Sequence, residues 1–132
     1  MVGGMPPAES IDGAITARQV SARHRLTDIG AGDLPRFPWM LGTVPHDDVT
    51  LIRYALWRAN SGHGLEVPQD VYAALGLLES ARAEMDALEA GLLFVARAEG
   101  LTWPEIAEHL GVRSPQAAQQ RFERVTSRTD TP

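Results

Sequence analysis

Glutamine and arginine side chains are concentrated between residues 113 and 128 of this 132-residue chain. A glutamine amide can donate to and accept from an adenine edge, and arginine pairs with guanine or with phosphate. A serine hydroxyl and the amino end of a helix add uncharged donors to phosphate oxygen atoms. The residue types therefore predict a surface that binds double-stranded DNA. Its candidate residues are Arg113, Ser114, Gln116, Gln119, Gln120, Arg121, Arg124 and Arg128.

A short helix with clear boundary signals precedes this segment. Thr102 and Glu105 have the spacing of a capping box, in which each side chain bonds the backbone of the other residue. Gly111 is typical of a helix end, because glycine adopts positive φ without strain. These signals predict a helix over residues 102–110, followed by a tight turn.

A second helix is predicted over residues 114–128. Ser114 is a good N-cap, and Pro115 suits the first helical position because its missing N–H costs little there. Apolar residues then recur at helical spacing and form the inward face. They are Ala118, Phe122 and Val125. Gln116 and Gln120 lie on the opposite side, so we expect them to read base edges in the major groove.

The two helices and their turn resemble a known class of DNA-binding segment. Glu105-Ile106-Ala107 with Leu110-Gly111-Val112 resembles the first helix and turn of bacterial helix-turn-helix regulators and of sigma-factor region 4. Residues 114–122 are similar to the second helix of small DNA-binding proteins of high-GC bacteria. The resemblance is limited to about residues 92–128. The turn is one residue longer than the common pattern if Ala118 is the first core residue; alternatively, Ala117 and Ala118 share that position.

The distribution of charge favours the same segment, although the net charge of the chain is −5. Residues 46–112 contain four arginines and eleven acidic residues, whereas residues 113–132 contain four arginines and two acidic residues. The positive charge is therefore concentrated on the predicted second helix. Because this patch is small, we expect weak non-specific binding and a shallow dependence of affinity on salt.

Residue patterns for other chemistry are missing from the sequence. There is no cysteine, which excludes disulfides and cysteine-based zinc sites. His46-Asp47-Asp48 is interpreted as the start of a helix and not as a metal cluster. No phosphate-binding loop or nucleophile elbow occurs, so we expect neither an enzyme nor a cofactor. The sequence shows no membrane-spanning run and no signal peptide, and it favours a cytoplasmic, nucleoid-associated protein.

Residues 1–45 are predicted to form a poorly structured tail that includes a proline-rich apolar strap. Residues 15–26 carry several basic side chains and suggest a short helix, a DNA-backbone arm or a solvated disordered segment, of which the last is favoured. Prolines exclude a regular helix from residues 33–44. The strap contains Phe37, Trp39, Met40 and Leu41. We expect it to cover the chain's own helices; the alternative is docking to a partner.

The region 46–99 is predicted to be helical and is a candidate dimerisation region. Residues 49–60 show an apolar face composed of Val49, Ile52, Leu56 and Ala59. Two rows then repeat every seven residues through 68–99. They comprise Val71, Leu78, Met85 and Leu92, and Ala74, Ala81, Leu88 and Val95. Gly76 and Gly91 are expected to weaken or break the helix. We favour a homodimer seam over packing within the chain.

Together these patterns predict an all-α protein with a helical platform, a helix-turn-helix at residues 100–128 and a short tail at 129–132. The favoured function is sequence-specific DNA binding by a homodimeric transcriptional regulator or nucleoid-associated factor. The first alternative is a protein-interaction module that docks a component of the transcription machinery. The second is a DNA-binding antitoxin whose N-terminal segment becomes ordered on a toxin.

Overall fold

The computed structural model describes residues 7–62 and 67–130, and it describes side chains from residue 11 to residue 127 within those ranges. The described chain is all-helical, as predicted. Its helices are α1 (Pro7–Asp28), α2 (Asp48–Asn60), α3 (Val67–Gly76), α4 (Leu78–Ala98), α5 (Trp103–Leu110) and α6 (Pro115–Asp130). None of these described helices is long and apolar enough to cross a membrane. The outer ends of the predicted tails, at residues 1–6 and 131–132, lie outside the described residues.

The chain divides into two compact units. The N-terminal unit is Met1–Ala81, and the C-terminal unit is Arg82–Pro132. The N-terminal unit holds α1, α2, α3 and the first residues of α4, and the C-terminal unit holds the rest of α4 with α5 and α6. The boundary differs from the predicted division at residue 100, because the second half of α4 packs with α5 and α6.

Helix α1 corrects the prediction that residues 15–26 are a solvated disordered segment. Ala22 and Leu26 lie one helical turn apart and are buried with Leu51 and Leu77, so residues 15–26 are an integral part of the N-terminal unit. Sequence patterning missed this helix because its buried face consists of few apolar residues. Two larger apolar residues of this helix, Ile15 and Val20, are exposed.

Two buried carboxylates join the helices of the N-terminal unit. Asp48 is 2% exposed and accepts from both Nε and Nη2 of Arg23, at 2.8 and 3.0 Å. Asp70 is 1% exposed and accepts from Nε of Arg25 at 3.0 Å and from Nε of Arg58 at 3.2 Å. The first pair links α1 with α2, and the second cluster links α1 and α2 with α3. Arg23 and Arg25 are therefore internal partners and not part of a DNA-backbone arm.

Helix α2 begins as predicted but turns a different face inward. The Asp47 carboxylate caps the helix by accepting from the Thr50 N–H at 3.0 Å. Its buried residues are Asp48, Leu51 and Ala55. The predicted face is wrong at Leu56, which is 60% exposed, whereas Ile52 of the same face packs against the core. A face that includes a buried charged residue cannot be found from apolar spacing alone.

The predicted long helix is broken between α3 and α4, next to Gly76. Leu77 at the break is fully buried in the N-terminal core. Of the two predicted rows, Ala81 is buried, whereas the large side chains farther along α4 lie on the surface of the chain. They are Met85, Leu88, Leu92 and Val95, which are 55–71% exposed. Most of the predicted seam therefore does not pack within the chain.

The proline-rich strap is an ordered loop with an exposed apolar surface. The Arg36 guanidinium closes it by donating to the Gly42 and Val44 carbonyl oxygens, both at 2.8 Å. As predicted, it contains no regular helix. The expectation that it covers the chain's own helices is wrong for Trp39 and Leu41, which are 73% and 78% exposed.

Candidate nucleic-acid interface

The interface predicted from the sequence falls within the C-terminal unit, on the pair formed by α5 and α6. These two helices pack around a small apolar core with the second half of α4. The buried members of this core are Leu93, Ile106, Ala107, Ala118 and Val125. Each of the three helices contributes at least one of them. Alanine at two of the five positions allows the helix axes to approach closely.

Helix α5 begins with the predicted capping box. The Thr102 hydroxyl accepts from the Glu105 N–H at 3.3 Å, and the Glu105 carboxylate accepts from the Thr102 N–H at 3.0 Å and from its hydroxyl at 2.8 Å. These two hydrogen bonds to the carboxylate lower the pKa of Glu105 from its ordinary value. They fix the direction in which the chain enters the helix pair.

The turn between α5 and α6 is closed by backbone hydrogen bonds. Gly111 has a φ of 76°, in the left-handed region, and its N–H donates to the Ala107 carbonyl at 3.0 Å. The Val112 N–H donates to the same carbonyl at 3.1 Å, and its half-buried side chain packs against the core. This arrangement resembles a Schellman motif, and it supports the prediction that glycine ends the helix.

Helix α6 begins at Pro115, with Ser114 as its cap. The Ser114 hydroxyl accepts from the Ala117 N–H at 3.1 Å and keeps its own O–H available as a donor. Ala118 is fully buried, which identifies it as the first core residue of α6, while Ala117 is half-buried. The predicted inward face is confirmed, because Val125 is 2% exposed and Phe122 packs against the same core.

The opposite side of α6 is polar and accessible. We call this side the outer face of α6; its described residues are Gln116, Gln119, Gln120, Glu123, Arg124 and Ser127, all of which are exposed. Arg113 in the turn is exposed as well. The structure therefore brings most of the predicted DNA-contacting residues onto one surface. Arg128 belongs to α6, but its side chain is not among those described.

Arg121 differs from the other predicted DNA contacts. Its Nη2 lies 2.6 Å and its Nε 3.0 Å from the two carboxylate oxygens of Glu89 on α4. This two-point pair ties α6 to α4 and engages the charge of Arg121 within the unit. Sequence reasoning missed the pair because the partners are 32 positions apart. We therefore remove Arg121 from the set of DNA contacts.

The link between α4 and α5 is closed in the same way as the end of α5, by a glycine of positive φ and a backbone hydrogen bond from the next residue. Gly100 has a φ of 87°, and the following Leu101 donates its N–H to the Ala96 carbonyl at 3.0 Å. The Arg97 guanidinium lies 4.9 Å from the centre of the Trp103 ring and donates to the Leu101 carbonyl at 2.9 Å. Both connections in this unit are thus closed by hydrogen bonds, which fix the positions of α5 and α6 relative to α4.

Among the described residues, no group of three or more histidine, cysteine or acidic side chains is placed to hold a metal ion. His46 is buried, and its Nε2 lies 3.3 Å from the Leu34 carbonyl oxygen. His63 lies outside the described residues. No protein-family model, curated protein or solved structure matches this chain.

Proposed function

We propose that the α5–α6 pair is a helix-turn-helix that binds double-stranded DNA, with α6 in the major groove. The observation that carries this proposal is the outer face of α6. It presents three exposed glutamines and Arg124 on the side opposite Ala118 and Val125. Glutamine amides suit adenine edges, and the exposed arginines suit phosphates.

The charge around this face supports sequence-specific binding more than strong non-specific binding. Arg113 and Arg124 are exposed, but Glu123 lies among the glutamines, and α5 adds exposed Glu105 and Glu108. Non-specific affinity grows with the number of phosphates that a protein neutralises. Few cations therefore imply weak binding to arbitrary DNA, with most of the affinity dependent on matched bases.

One short reading helix covers only a few base pairs, so we infer that the protein binds as a homodimer to two half-sites. Closed two-fold dimers are the commonest oligomers, and they match palindromic sites. We infer a transcriptional regulator or a nucleoid-associated factor acting in this way. The two roles differ in whether the bound DNA shares a motif.

The test compares three single substitutions on α6. Gln120→Ala should weaken cognate binding by about 1–3 kcal/mol, because it removes a base contact. Arg124→Ala should weaken cognate and random DNA alike and reduce the salt slope by about one, because it removes a phosphate contact. Arg121→Ala is the matched control, since the Arg121 charge is paired with Glu89. Fluorescence anisotropy at several salt concentrations measures all three.

The outcomes show whether DNA binds to the outer face of α6 or to another surface of the protein. If Arg121→Ala reduces the salt slope and Arg124→Ala does not, the outer face of α6 is not the DNA-binding surface. If neither Gln120→Ala nor Arg124→Ala alters affinity for any DNA, the assignment of α6 to the major groove is wrong. Circular dichroism of each variant establishes that the helices are retained.

The strap favours a second candidate function, docking to a protein of the transcription machinery. Phe37 and Trp39 stack with ring centres 4.9 Å apart, and the exposed Leu41 lies in the same loop, which Arg36 closes. A rigid, exposed aromatic pair is typical of interface hot spots. Titration of RNA polymerase core with wild type and with Trp39→Ala tests this candidate. Equal affinities would exclude the strap as the docking surface.

A further inference from the structure

The outward face of α4 in the C-terminal unit exposes several large apolar side chains that are not part of the described core of that unit. From residue 87 to residue 98, every exposed residue other than Arg97 is apolar. The large ones are Leu88, Leu92, Phe94 and Val95, which are 55–71% exposed, and Met85 continues the face by one turn. Leu93 faces α5 and α6 on the opposite side of the same helix. A helix that is apolar on both sides is typical of a buried position.

Gly91 lies at the centre of this face and has no role inside the chain. A Cβ added at Gly91 would meet no atom within 4 Å, so the described structure does not require glycine there. Glycine within a helix costs about 1 kcal/mol relative to alanine. Ala87 and Ala98 flank it on the same face. Small residues on a helix surface let a second helix backbone approach closely, as in other helix pairs.

We propose that this face, formed by the residues between Glu84 and Ala98 that point away from α5 and α6, is the homodimer interface, and that two copies pack antiparallel with Gly91 on the two-fold axis. This inference rests on the homodimer included in the proposed function, and it adds the surface and the direction of pairing. The α5–α6 pair occupies the other side of α4, so the outer face of α6 stays accessible in such a dimer.

The distribution of charge and size along α4 favours a second copy in the antiparallel direction. In that direction Ala87 faces the larger Val95 of the other copy, and the two large side chains Leu88 and Phe94 face each other. Glu84 is the acidic residue on this face, and antiparallel pairing about Gly91 places it opposite Ala98 of the other copy, away from the second Glu84. In the parallel direction Glu84 would face its own copy, and like charges across an interface are unfavourable.

The size of the face is sufficient for a specific but modest interface. The five large side chains each expose on the order of 100 Å² of apolar surface. Two copies would then bury about 1,000 Å², near the lower limit for specific protein interfaces. We therefore expect a dimer whose population depends on protein concentration in the roughly micromolar range.

Cysteine cross-linking tests the axis and direction, because the chain has no cysteine of its own. Under mild oxidation, Gly91→Cys should form a disulfide-linked dimer, since the Cα atoms on the axis would lie within about 7 Å. Glu84→Cys alone should not cross-link, whereas a mixture of Glu84→Cys and Ala98→Cys should yield the mixed dimer. Leu41→Cys and Leu56→Cys are controls at exposed leucines outside the face. Cross-linking by Glu84→Cys alone would overturn the antiparallel arrangement.

Sedimentation of the full chain without DNA tests the surface itself. Leu92→Glu should raise the dimer dissociation constant about a hundred-fold or more, the change that follows from a loss of about 2.7 kcal/mol. Leu41→Glu is the matched control and should leave it unchanged. A wild type that stays monomeric at high concentration overturns the inference, as does a dimer lost in Leu41→Glu but kept in Leu92→Glu. A dimer that binds no DNA would instead refute the proposed function alone.

Discussion

The N-terminal unit buries two carboxylates among its helices, whereas the described buried side chains of the C-terminal unit are all apolar. Asp48 and Asp70 hold α1, α2 and α3 together through arginines that come from distant parts of the chain. In the C-terminal unit, close packing around Ala107 and Ala118 brings the three helices together.

The two units should therefore be sensitive to different kinds of substitution. Removing one partner of a buried ion pair lowers the folding stability strongly, because an uncompensated charge remains where water is scarce. In a core where helices cross at alanine residues, a larger side chain lowers the folding stability, because the neighbouring helices must move apart. We therefore expect charge changes to act on the first unit and volume changes on the second.

The largest expected effect is that of Asp70→Asn. The amide keeps the shape of the side chain but removes the charge that balances Arg25 and Arg58, at a cost on the order of 3 kcal/mol. Hydrogen exchange resolved by peptide should become faster in α1, α2 and α3 and stay unchanged in α5 and α6. Asp33→Asn, at an exposed position, is the control. Unchanged exchange in the N-terminal unit would show that the ion pairs are not needed for its stability.

An effect of about 1–3 kcal/mol is expected for Ala118→Leu in the C-terminal unit, where the larger side chain overfills the crossing of α5 and α6. Ala118 is fully buried. Exchange should become faster in α5 and α6 alone, and DNA binding should weaken with it. Ala17→Leu adds the same volume at an exposed position of α1 and should be nearly neutral. Equal stability of the two variants would contradict a tightly packed core.

The smallest expected effect concerns Glu105 and pH. Hydrogen bonds from Thr102 lower the pKa of the Glu105 carboxyl in the folded state. A lowered folded-state pKa stabilises the fold above the ordinary pKa, and that contribution is lost as the pH falls through the lowered value. Thermal unfolding of wild type and Glu105→Gln should therefore differ at neutral pH and converge in acid. A difference that persists at low pH would mean that the charge on Glu105 is not its cause.

Local signals predicted the C-terminal helix pair well. The Thr102 capping box, the stop at Gly111 and the Ser114 cap are each defined by residues within a few positions of one another. Their hydrogen bonds form within a single turn, so the sequence alone is enough to place them. The exposure of Gln116 and Gln120 followed from the same helical spacing.

Local sequence patterns could not predict the ion pairs between residues that are far apart in the chain. Arg25 and Asp70 are 45 positions apart, and charged residues on a helix ordinarily indicate a solvated face. The ion pairs of Arg23 and Arg25 and the buried Leu26 hold α1 against the rest of the N-terminal unit. The same limit explains Arg121, whose partner Glu89 lies on another helix.

Selection from fragmented genomic DNA shows whether the outer face of α6 reads DNA sequence. Purified protein is mixed with the fragments at low and at moderate salt, and the bound fraction is sequenced. We expect enrichment of a motif with two half-sites about one helical turn apart, and its loss with Gln120→Ala. Binding without an enriched motif would contradict sequence-specific reading, and no binding even at low salt would contradict DNA binding altogether.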